Sequence, residues 1–125
     1  MHRSRLVAAI IDVPAGSYEP TAAFWAAALG AEPHLDPEDP DYVELGEPSP
    51  GFEVMVQRVG AAARVHLDIE TDDVEAEVAR LERLGAARVG KVRSWWVMRD
   101  PAGLLFCVVT VQMPGPFGRH ATTWP

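Results

Sequence analysis

At 125 residues and 48% apolar content, the chain is long enough for one packed domain and too apolar for disorder. A net charge of −7 argues against nucleic acid as a partner, because phosphate binding wants a basic face. The single cysteine, Cys107, excludes an intrachain disulfide and a cysteine-based zinc site, and fits a reducing cytoplasm.

The N-terminal stretch MHRSRLVAAIID sets basic residues before an apolar run, which Asp12 cuts after six residues. That is too short for a signal peptide or a membrane span, so a soluble cytoplasmic protein without a membrane partner is expected. Leu6–Val13 reads as a strand with apolar residues on both faces, hence a central one, and Asp12–Gly16 ends it. Thr21–Leu29 is predicted to be a helix whose stripe of Thr21, Trp25, Ala28 and Leu29, with Phe24 adjacent, packs on the core. Gly30 stops it. Glu32–Gly51 is rich in proline and acids, as expected of a solvated irregular loop around one weak strand at Tyr42–Leu45. Phe52–Val59 is the next strand, and Gly60–Ala63 a flexible link.

The stretch RVHLDIETDDVEAEVARLERLGA, Arg64–Ala86, carries the sharpest signals. Val65, Leu67 and Ile69 alternate with His66, Asp68 and Glu70, so a strand should turn its apolar face to the helices and its polar face away from them. That polar face is either an acid–base row or, as is commoner, the wet face of an antiparallel strand. At Asp72 and Asp73 the period becomes helical, with Val74, Val78 and Leu81 on one stripe. Asp72 is the expected cap, with Glu75 completing a capping box, and Gly85 occupies the left-handed position after the last turn. Three further strands follow at Ala87–Val92, Trp95–Met98 and Leu104–Val111. The tail, residues 113–125, is expected either to fray or to be laid on the surface by Phe117 and Trp124.

The two halves repeat one plan. Leu29-Gly30-Ala31 and Leu84-Gly85-Ala86 are matching helix ends, and the last two strands of each half are joined by a Gly/Pro turn, GEPSPG and RDPAG. Each half reads as strand, helix, then two or three antiparallel strands. Such a unit cannot cover its own sheet, so two must combine.

The segments FWAAALG (24–30), Arg64–Ala86 and WWVMRDPAGLLFCVV (95–109) resemble the glyoxalase-like domain subgroup of the vicinal oxygen chelate superfamily, over about residues 6–112. That superfamily includes glyoxalases, bleomycin-resistance proteins and extradiol dioxygenases. The resemblance implies an α+β fold in which two βαβββ modules form a curled mixed-sheet cup with helices outside. Residues 1–125 would be a single domain, with module one at about 5–60 and module two at about 64–112. It also implies a small ligand in the cup, often on a divalent metal, and a homodimer.

The family's metal ligands lie on the first and last strands of each module. The matching positions here are Ala8, Gln57 (with Glu53 as the other candidate register), His66 and Cys107. His66 is a proper ligand, Ala8 has no donor atom, and a cysteine in an apolar strand is more often a small buried hydrophobe. A divalent ion in this family wants about four His, Glu or Gln donors, which disfavours a metal cofactor. His66, Gln57, Trp95, Trp96 and Cys107 are therefore the candidate ligand-binding residues, with His66 the one metal candidate. The adjacent tryptophans point to opposite faces, so one should line the cup and the other pack under the helices. The expected function is capture of a small apolar or aromatic molecule without a complete metal site. The alternative is a metal-dependent lyase, isomerase or dioxygenase using His66.

Overall fold

A computed structural model describes residues 1–125 and contains nine strands and three α-helices. Strand β1 is His2–Pro14, and a 3₁₀ turn at Ala15–Ser17 leads into α1, Tyr18–Leu29. Then come β2 (His34–Asp36), β3 (Asp39–Glu44) and β4 (Glu53–Val59). The second half repeats the series with β5 (Arg64–Thr71), α2 (Val74–Arg83), β6 (Ala87–Val92), β7 (Trp95–Arg99) and β8 (Leu105–Thr110). The tail forms α3, Pro114–His120, and β9, Thr122–Trp124. The fold is α+β, and the repeat is complete: each half is strand, helix and three strands.

The chain resolves into two compact units, Ala8–His66 and Met1–Val7 with Leu67–Pro125. Their boundaries fall inside β1 and β5, so each long strand serves both units. In the first unit, β1 pairs in parallel with β4, and β4 and β3, then β3 and β2, pair antiparallel. In the second, β5 pairs in parallel with β8, followed antiparallel by β7 and β6. The pairing order is thus the same in both. The polar face of β5 is not a wet one, for His66 and Glu70 are buried.

Each helix covers one face of its own unit. Under α1 lie Val13, Val43, Leu45 and Val56, which meet Tyr18, Ala22 and Ala26. The expected stripe was turned by about a residue: Phe24 is 62% exposed and Trp25 only half-buried. With five alanines among its twelve residues, α1 has no strong apolar side, and its small face packs closest to the strands. Under α2, Val78 meets Met98, Phe106 and Val108, with Ile69, Leu81 and Trp96 at the margin.

Other local expectations changed for identifiable reasons. Asp73, not Asp72, caps α2 by accepting from the Ala76 amide at 3.0 Å. Asp72 is engaged elsewhere, accepting from the Arg3 amide at 2.7 Å and its Nε at 3.3 Å, and these bonds hold its carboxyl below the usual range. The acidic loop contains a hairpin, β2–β3, because the Asp36 carboxylate accepts from the Glu38 amide and closes the turn. Gly85 does take the left-handed region, at φ 112°.

The tail is laid down rather than frayed. β9 pairs with the start of β1 (His2 opposite Trp124), Phe117 is buried, and Trp124 Nε1 donates to Ser4 Oγ at 2.9 Å. What fixes this region is the fully buried carboxylate of Glu77 on α2. It accepts from His2 Nε2 (2.6 Å), Ser4 Oγ (2.9 Å) and the Arg80 fork (2.7 and 2.9 Å). Arg80 in turn stacks on the Trp124 ring at 3.8 Å. Burial alone would raise the Glu77 pKa, but the bonds from Arg80, His2 and Ser4 outweigh it and leave it lowered.

Two expectations follow. Glu77→Ala removes the acceptor and strands the buried His2 and Ser4 and the half-buried Arg80, at a cost of about 3–5 kcal/mol by urea denaturation. Because the folded-state pKa is lowered, Glu77 stabilises the fold above the ordinary value of 4.5 and loses that contribution as pH falls through the lowered one. The stability difference between wild type and Glu77→Gln should therefore shrink on acidification below pH 4.5.

Candidate functional site

Register places side chains on the face of the first unit that α1 leaves uncovered. Val13, Val43 and Val56 point to the helix, so Ala8, Ile10 and Asp12 of β1 point away from it. Cα pairing then sets Glu53 beside Ala8, Met55 beside Ile10, and Gln57 beside Asp12. On β3, Tyr42 is opposite Gln57 and Glu44 opposite Met55. The result is three rows, of which the polar one reads Tyr42, Gln57, Asp12.

From β5, Arg64 and His66 complete that row. His66 Nδ1 lies 2.6 Å from Asp12 Oδ2, and Arg64 Nε donates to the same oxygen at 3.2 Å. A carboxylate can only accept, so Nδ1 carries the proton, and in the neutral ring Nε2 is the acceptor. Asp12 is 1% exposed and its Oδ1 has no hydrogen-bond donor. His66 is 9% exposed, whereas Arg64 keeps 41% of its side chain in solvent. The polar face of β5 is therefore its buried one: Glu70 is fully buried, held by Arg5 Nε (2.7 Å) and the Gln112 and Met113 amides. Val65 and Leu67, expected under the helices, are 49% and 37% exposed. Only Ile69 of that trio packs beneath α2. Buried polar groups are tolerated here because each finds a charged or backbone partner.

The remaining candidates sit in the second unit. Trp96 lies on the α2 side, its Nε1 donating to Glu75 Oε1 at 2.9 Å, a bond that leads the lowering of the Glu75 pKa. Trp95 points the other way. Val97 shares its face by alternation, and Cys107 is paired with both Val97 and Asp68. Trp95, Val97 and Cys107 are half-buried and make an apolar surface suited to stacking.

The glyoxalase-like domain family matches residues 8–109, most of the chain. The chain belongs to that family. No curated protein matches. Among solved structures, a hypothetical protein from Bacillus halodurans aligns with a TM-score of 0.64 at 11% identity, over 88% of this chain and 96% of the other. The Mn(II)-bound glyoxalase from Novosphingobium aromaticivorans gives 0.61 at 19% identity, over 88% of this chain and 40% of that one. Methylmalonyl-CoA epimerase from Mycobacterium tuberculosis gives 0.58 at 14%, over 87% and 89%. The shared fold is that of the vicinal oxygen chelate superfamily.

The family's metal can now be tested against these side chains. Ala8 offers no donor. Of the two candidate registers, Gln57 adjoins Asp12, while Glu53 adjoins Ala8, about 13 Å down the strand. His66 is already bonded through Nδ1 to Asp12. Within the Ala8–His66 unit these positions supply two donors, Gln57 and His66, fewer than the about four of a complete centre.

Asp12 and Arg64 were not singled out from sequence. The available signal was a lone Asp closing an apolar strand, and an Arg two residues before a candidate His. Asp12→Ala should destabilise the protein by about 1–3 kcal/mol, since it leaves the buried His66 Nδ1–H without an acceptor. In wild type, NMR should find that ring proton downfield and slow to exchange; in Asp12→Asn it should move upfield.

Proposed function

We propose that the protein binds a small molecule on the sheet face of the Ala8–His66 unit opposite α1, with His66 fixing a polar group of the ligand and no complete metal centre. The observation that carries this reading is the bond between His66 Nδ1 and the buried Asp12 carboxylate. It sets the ring orientation and the tautomer before any ligand arrives. Gln57, beside Asp12 in the register, supplies an amide that can donate and accept. Met55 in the next row offers an apolar contact.

The same pair supports a second reading, an enzyme of the lyase or isomerase kind. An imidazole whose Nδ1–H is held by a carboxylate is arranged to take a proton at Nε2, and Asp12 would stabilise the imidazolium formed. Here too the step would be carried by the chain's own residues.

His66→Ala separates the readings after a thermal-shift screen has supplied a ligand. For a metal-free binder, affinity should fall by about 1–3 kcal/mol while metal content stays at the wild-type level. Loss of a stoichiometric metal from the mutant would overturn the proposal, because it would make His66 a metal ligand. Exchange of a ligand C–H for deuterium in heavy water, lost in His66→Ala, would favour the enzyme.

A further inference from the structure

We infer that the ligand carries a carboxylate and that Arg64 is the residue that takes it. The inference rests on the reading that His66 marks a ligand site, and adds the chemical class. Arg64 is anchored at one point only: Nε donates to Asp12 Oδ2 at 3.2 Å, on the oxygen that also holds His66. Its two terminal nitrogens make no further hydrogen bond or ion pair, and 41% of the side chain is in solvent. Six of the ten other lysines and arginines are ion-paired: Arg3 with Asp72, Arg5 with Glu70, Arg58 with Asp41, Arg80 with Glu77, Arg88 with Glu82 and Glu75, and Lys91 with Glu75. Arg64 instead presents a fork held at its root by a buried acid, next to an oriented imidazole.

Anchoring through Nε fixes the plane of the guanidinium and leaves the edge formed by the terminal nitrogens for a bidentate partner. That edge matches one carboxylate in geometry and charge. Of the other acids of the Ala8–His66 unit on this face, none comes near the Arg64 fork. Glu44 and Glu53 sit in the second and third rows, about 7 and 13 Å along the strands, and Asp12 is the anchor itself. A phosphate would call for more donors than one guanidinium edge, and no lysine lies in these rows.

The test is an NMR titration with a matched pair of probes, phenylacetate and phenylacetamide, which differ in charge but hardly in shape. Shifts of the Arg64 Nε–H and His66 ring resonances report occupancy. In wild type the acid should bind at least about tenfold tighter than the amide, and in Arg64→Gln the ratio should fall to within about twofold, with amide binding retained. Should Arg64→Gln fail to fold, Arg64→Lys, which keeps a charge beside Asp12 but loses the fork, should cut the ratio at least about threefold. An amide that binds as tightly as the acid, or a ratio that survives both substitutions, overturns the carboxylate while leaving the His66 reading intact. If neither probe shifts His66 and His66→Ala changes nothing, both fall together.

Discussion

Three buried carboxylates, Asp12, Glu70 and Glu77, set the terms on which this chain folds. Each is no more than 1% exposed, and an unpaired carboxylate so placed would cost several kcal/mol. The chain therefore has to bring donors to them. In the second unit the donors come from the ends: His2, Ser4 and Arg5 from the first strand, and the Gln112 and Met113 amides from the start of the tail. Segments that composition alone would leave loose are thus held by the need to neutralise acids on β5 and α2. Trp124 then closes over Arg80 and Ser4, adding aromatic area to what is electrostatic at its root.

In the Ala8–His66 unit the same requirement produces the site. Asp12 collects both of its donors on one oxygen, and those donors are Arg64 and His66 of β5. Glu77 and Asp12 differ in how completely they are satisfied. Glu77 receives four bonds from three side chains and belongs to structure. Asp12 receives two, leaves Oδ1 bare, and holds an Arg whose far edge is open. Fully satisfied polar networks rigidify a fold, whereas incompletely satisfied ones are where ligands find purchase.

Much of the fold was legible because it rests on period and punctuation. The switch from alternation to helical spacing at Asp72–Asp73, the glycines at helix ends and the two matching Gly/Pro turns place the repeat without reference to packing. What could not be read was which face each element buries when composition gives no contrast. α1 is too uniformly apolar for its stripe to be assigned, and β5 inverts the usual rule because its polar side chains meet acids and bases 54 to 65 residues away. Local pattern carries no information about such partners.

The site divides along the same line. His66 and Gln57 came from strand position, which sequence preserves; Asp12 and Arg64 act through a contact that exists only once β1 and β5 are folded. That contact changes what His66 is. In a complete metal centre a histidine is one ligand among several, and its worth depends on the others. Asp12 on Nδ1 fixes the His66 ring, and Arg64 stands on the same carboxylate oxygen. The strand register is unchanged, but the chemistry available at it becomes that of an oriented acid–base side chain beside a cation.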